Sequence, residues 1–141
     1  MADTSNRPVL THEAALRVLR AAIDKAEAME RPQCIAVVDA SGRLLAFVRM
    51  DGAKFLSIRT AQRKAITAAD RRTATGGIDP EHGMTLALVT NGRLVNLKGG
   101  VPIEVDGHVV GAVGVSSGSG EQDLEVAKAG VAAIEGAKVD W

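Results

Sequence analysis

"VPIEVDGHVVGAVGV", residues 101–115, is the stretch on which the fold of this chain turns. Asp106-Gly107 stands between two β-rich runs, the pattern of a two-residue type I′ hairpin, in which both central residues take positive φ. A hairpin closed there without irregularity pairs Val105 with His108, Ile103 with Val110 and Val101 with Ala112. Those residues share one face, yet Val109, Val113 and Val115 on the other face are also apolar. The second strand is therefore expected to be central, with something packed on both sides. Gly111 and Gly114 lie inside it, where a missing side chain permits close approach by a helix or by a ligand.

The flanking segments supply what packs there. Downstream, "SGEQDLEVAKAGVAAIEGA" fits a capping box, Ser119 with Gln122, followed by Leu124, Ala127, Val131 and Ile134 at helical spacing. Upstream, "CIAVVDASGRLLAFVRM" reads as two strands joined by the turn "DASGR", and Cys34 to Val38 is apolar at every position, as in a strand covered on both faces. Thr11 to about Met29 places Leu16, Leu19, Ile23 and Ala26 on one helical stripe, behind a threonine able to cap and Glu13 in the first turn; Pro32 breaks the pattern. "SIRTAQRKAITAADRR" puts Ile58, Ala61, Ala65 and Ala68 on a second, small-residue stripe that allows close approach. "TATGGIDPEHGMTLALVTNG" reads as a loop with a short helical turn after Pro80. The order is helix, two strands, helix, loop, two or three strands, helix: an α/β chain of the α+β kind, with an antiparallel sheet and helices on more than one face.

The chain has 141 residues and 46% hydrophobic composition, enough for one sizeable core. We expect a flexible segment at residues 1–9 and a single domain over 10–141. Lys+Arg and Asp+Glu balance at 17 each, so no global field favours nucleic acid or an anionic membrane. Phe47, Phe55 and Trp141 are the only aromatics, too few for base stacking. No apolar run approaches the roughly 20 residues of a membrane helix, and "MADTSNRPVL" has neither a basic n-region nor an apolar h-region, so a soluble, unexported chain is expected. With Cys34 as the only cysteine, the expected setting is the cytoplasm.

The glycines near the hairpin fit neither a P-loop nor a dinucleotide fingerprint, and Glu121 and Asp123 would repel a phosphate from the last helix. His12, His82 and His108 form no paired metal-ligand spacing. Asp24 with Glu27 and Glu121 with Glu125 are carboxylate pairs of the kind that solvated helix faces carry. The most informative cluster is "FVRMDGAKF" with the helix after it. If that helix folds back over its strand, Arg49 and Lys64 face one pocket beside Gly99, Gly100 and the glycine-bearing strand, a cationic clamp for a carboxylate or propionate. An Arg49–Asp51 surface pair with a solvated Lys64 is the simpler alternative.

"LTHEAALRVLRAAIDKAEA", "VVDASGRLLAFVRMDGAKFLSIRTAQRKAITA" and "GGVPIEVDGHVVGAVGVSSGSGEQDLEVAKAG", in that order, resemble the GlcG/HbpS family of haem-degrading or haem-binding domains, also found as the C-terminal domain of PduO-type proteins. The resemblance covers about residues 10 to 136. It implies a profilin-like three-layer α-β-α sandwich with a central antiparallel sheet, and homo-oligomers. Matching positions are Arg49, Asp51, Gly52, Ser57, Lys64 and Thr67, then Gly99, Gly100, Pro102, Gly111, Gly114, Ser116 and Asp123. "TATGGIDPEHGMTLA" departs from the family pattern. The first expectation is a small-ligand-binding protein for haem, a corrinoid or another acid-bearing ligand, held by Arg49, Lys64, Gly99, Gly100, Pro102, Gly111, Gly114 and Ser116. His12 and His108 are the candidate haem ligands. The alternatives are a cofactor-independent enzyme on a small organic acid, with Lys64 or Asp51 moving the proton, and a non-catalytic assembly subunit.

Overall fold

The computed structural model describes Met1–Trp141. Its elements are α1 (His12–Ala28), β1 (Cys34–Asp39), β2 (Leu44–Arg49), α2 (Ser57–Arg71), α3 (Pro80–Val89), β3 (Gly100–Val105), β4 (His108–Ser116) and α4 (Gly120–Val131). One antiparallel sheet has the strand order β2-β1-β4-β3, so the two strands read as covered on both faces, β1 and β4, are its central pair. α1 and α4 pack together on one face and α2 lies on the other, giving three layers. No helix is long and apolar enough to cross a membrane.

Strand alternation divides the core in two. Ile35, Val37, Val101, Ile103, Val113 and Val115 meet α1 and α4 in the larger cluster. Cys34, Ala36, Val38 and Ala112 meet Ala61, Ala65 and Ala68 of α2 in the smaller one. The small-residue stripe of α2 is buried as its spacing predicts, and Ile58 packs at its edge. Gly114 answers the question of what approaches the bare strand: a Cβ there would lie 2.0 Å from the Ala61 carbonyl oxygen and 2.4 Å from the Ala65 nitrogen. The neighbour is the backbone of α2.

The helix termini form as their residues dictate. Thr11 accepts from the Ala14 N–H at 3.1 Å, and both halves of the Ser119/Gln122 capping box are present. The β1–β2 turn is organised by Asp39, which accepts from the Ser41 and Arg43 amides and the Ser41 hydroxyl. Burial alone would raise the Asp39 pKa, but these bonds and the Arg43 charge outweigh it and hold the carboxyl below its ordinary range.

Four expectations change. The Asp106-Gly107 turn has positive φ at both residues and pairs Val105 with His108, but a β-bulge then displaces the register. Ile103 faces Gly111 and Val101 faces Val113, with Val110 as the extra residue of β4. In α1 the buried residues are Ala14, Ala15, Val18, Ala22 and Ala26; of the expected stripe Ala26 is among them, Leu19 and Ile23 pack partly on the core, and Leu16 is 53% exposed, because close packing selects the small residues. Ile134 lies beyond the end of α4, although it still packs on the core. The segment after Pro80 is a ten-residue helix, not a short turn. Its start carries an Asp79 cap and proline at the first position, but its apolar residues are spread around the axis, so no amphipathic period announces it.

Candidate functional site

Lys64 sits on the buried stripe of α2 and is 3% exposed. Its ammonium donates to Asp123 Oδ2 at 2.8 Å and to the Val115 carbonyl at 2.9 Å. Asp123 is equally buried in the first turn of α4, and its Oδ1 accepts from the Gly118 N–H at 2.9 Å. A buried pair of this kind persists because each charge meets its opposite and each side chain gains a further hydrogen bond with the backbone. Gly99 closes over it with φ +124°, a conformation that disfavours any side chain, and a Cβ there would fall 3.0 Å from the Lys64 Nζ. The pair ties α2, β4 and α4 together around the start of β3.

This arrangement revises the expected clamp. Lys64 faces Asp123 rather than a pocket. Arg49 is exposed at the end of β2, opposite Cys34 in the sheet, and lines a broad cleft of about 540 Å³ with Arg20, Glu27, Met50 and Asp51. Lys64 lines neither this cleft nor either of the other two main cavities. The anticipated glycine wall is packed against protein too: Cβ atoms would meet the Lys64 carbonyl oxygen at 2.4 Å from Gly100 and the Val38 carbonyl oxygen at 2.4 Å from Gly111. Pro102 is buried opposite Ala112, and Ser116 is buried opposite Cys34. Asp51 is exposed in the turn after β2 and joins no salt bridge, so the surface pair with Arg49 is absent as well. None of Gly99, Gly100, Pro102, Gly111, Gly114 and Ser116 lines any of the three main cavities.

Cys34 is buried, with its thiol 3.6 Å from the Lys54 carbonyl oxygen. Burial pushes the thiol pKa up, and the nearby Arg49 charge offsets this only in part. Next to it Gln33 is fully buried, with neither side-chain polar atom hydrogen-bonded.

The histidines remain on the surface. His12 is the first residue of α1, and the exposed Leu16 lies one turn further on, with exposed Val9 just upstream. His108 is exposed where β4 leaves the hairpin turn. No histidine lines any of the three main cavities.

Asp123 is the residue whose role sequence reasoning missed, since an acid in the first turn of a helix reads as a partner of the helix dipole. Its position was informative: Asp123, Val126, Ala127, Gly130 and Val131 are the buried residues of α4, among which a single acid must find a cation. Lys64 is the matching single cation on the stripe of α2.

Comparison with known proteins agrees with this architecture. The family model described as "Haem degrading protein HbpS-like" matches residues 10–132. Protein GlcG of Escherichia coli is 41% identical over 110 residues, which cover 77% of this chain and 81% of GlcG. The corrinoid adenosyltransferase PduO of Salmonella typhimurium is 33% identical over 123 residues, 84% of this chain but 37% of PduO. Among solved structures, the PduOC:heme complex superposes with a TM-score of 0.86 at 30% identity, covering 95% of this chain and all of that one (100%). HbpS superposes with a TM-score of 0.84 at 34% identity, covering 94% of each chain.

Proposed function

Because this chain belongs to the HbpS-like family, we propose that it binds a small ligand of the tetrapyrrole class, haem or a corrinoid, on the α1 face, with His12 as the nitrogen donor to a haem iron. The observation that carries the reading is the placement of an exposed imidazole at the start of α1 beside the exposed apolar side chains of Val9 and Leu16. These residues fit such a group: imidazole is an iron ligand, and a macrocycle laid over Leu16 and Val9 removes apolar surface from water. When bound, haem would supply a redox-active iron; His12 would hold it through an imidazole nitrogen, and the apolar side chains would limit water at that face. PduOC, similar over almost all of this chain, forms a complex with heme, which supports the same ligand class here.

The unit responsible is residues 10–141, and self-association belongs to the same reading. Exposed Met84, Leu88 and Val89 on α3, with Phe55 and Leu56 ahead of α2, present apolar surface of the kind that protein contacts cover. A non-catalytic assembly role draws on this surface too. The cofactor-independent enzyme has less support, because Lys64 is sequestered against Asp123 and lines none of the three main cavities, whereas Arg49 lines one of them.

Titration of haemin into the wild-type chain, His12→Ala and His108→Ala tests the proposal through the Soret band. A shift in the wild type that disappears in His12→Ala and persists in His108→Ala is the expected outcome. A flat titration of the wild type at micromolar protein rejects the ligand class. Loss in His108→Ala alone rejects His12 as donor.

A further inference from the structure

A cavity of about 350 Å³ opens beside α2, between the β1–β2 turn and the segment that follows α3. It lies within the roughly 300–1,000 Å³ typical of small-molecule sites. Most of its polar atoms are already committed to the fold. Thr67 Oγ1 donates to the Arg63 carbonyl at 2.8 Å and accepts from the Val95 N–H at 3.0 Å. Thr90 Oγ1 donates to the Leu86 carbonyl at 2.8 Å and accepts from the Leu94 N–H at 3.0 Å. The Ser41 hydroxyl donates to Asp39 at 2.7 Å.

Two groups are left over, and they have opposite charge. Asp70, from the last turn of α2, and Arg93, from the segment after α3, both line this cavity and are exposed, yet neither enters a salt bridge with the other or with any third residue. Ile66 and the buried Leu94 give the cavity an apolar component. A simple anion would meet Arg93 but also the Asp70 carboxylate; a simple cation would meet Asp70 but also the guanidinium. A molecule carrying both signs on a short carbon frame satisfies the two together.

We propose that this cavity is a binding site for a small zwitterion, specifically an aliphatic α-amino acid. Its carboxylate pairs with the Arg93 guanidinium, which can engage it bidentately, and its ammonium pairs with the Asp70 carboxylate. Its side chain lies against Ile66 and Leu94, where burial favours hydrocarbon. The site uses none of the residues assigned to tetrapyrrole binding.

The test is calorimetric titration of the full chain with alanine, valine, leucine and isoleucine, beside 3-methylbutanoate and 3-methylbutylamine as analogues with one charge each. At least one amino acid should bind at millimolar concentration or better, and each analogue should bind at least about tenfold more weakly. Asp70→Asn and Arg93→Gln should each lower amino-acid affinity by at least about tenfold. The exchange variant Asp70→Arg/Arg93→Asp, which presents the same two charges in reverse, should recover part of it. Both positions are exposed, and circular dichroism with the haemin titration checks that each variant is folded. Absence of binding by all four amino acids overturns the proposal. So does an analogue that binds as well as the amino acid, or affinity unchanged by either substitution. Binding of 3-methylbutanoate that is lost only in Arg93→Gln identifies a plain anion site and also overturns it.

Discussion

Lys64 and Asp123 are where a residue's chemistry bears most directly on the stability of this chain. Each is buried, and each satisfies the other, so removing one leaves an uncompensated charge in the interior. Asp123→Asn keeps an oxygen for the Gly118 N–H but strands the Lys64 ammonium; it should cost about 3–5 kcal/mol in urea unfolding. Lys64→Met added to Asp123→Asn should restore part of that loss, with the coupling read from a double-mutant cycle. If Asp123→Asn costs no more than a surface change, the pair does not carry this role. The site was only half legible in the sequence for a related reason. Lys64 and Asp123 each stand as a charge on an apolar stripe, but their contact joins α2 to α4 across 59 positions, which no local spacing reports. Arg49 misled in the opposite sense. Its sequence neighbourhood suggested a clamp with Lys64, whereas its place at the end of an edge strand leaves it in a separate cleft.

The contact between α2 and the sheet rests on what β4 and β3 omit. The Gly114 Cα faces the α2 backbone so closely that an added methyl would overlap Ala61 and Ala65 main-chain atoms, which cannot rotate away. Gly114→Ala should therefore destabilise the fold by about 3 kcal/mol or more, toward the upper end for overpacked cores. Gly77→Ala, where a Cβ would meet nothing within 4 Å, should be close to neutral in the same unfolding measurement. Equal effects at the two positions would show that α2 can move off the sheet at little cost. The strands, the capped starts of α1 and α4 and the central position of β4 were readable because each rests on residues within one turn or one alternation. α3 was not, since a helix with apolar residues around its whole circumference lacks the period by which helices are recognised.

For the whole molecule, the proposed self-association draws on an uneven distribution of apolar side chains. Apolar side chains are spent sparingly inside, where alanine and valine dominate, while Leu88 on α3 is 75% exposed and Met84 and Val89 stand open with it. Self-association should therefore depend on α3: Leu88→Glu should shift the wild-type chain to a smaller species in sedimentation velocity without altering its circular dichroism. An unchanged sedimentation coefficient would place the contact elsewhere. The bulge at Val110 has a longer reach than its single residue. β4 is locked to β1 by pairing on its other edge, so looping the extra residue out sets the phase of β3: Val101 and Ile103 stay toward α1 and α4, where regular pairing would turn them away. Deleting Val110 would remove the bulge and leave Ile103 opposite Gly111 and Val101 opposite Val113, so β3 would keep its inward face. In this hairpin the odd residue is thus absorbed at one place, so a length variant that loses Val110 should keep its core, whereas a single deletion at Ala112 should turn one side of the ladder over.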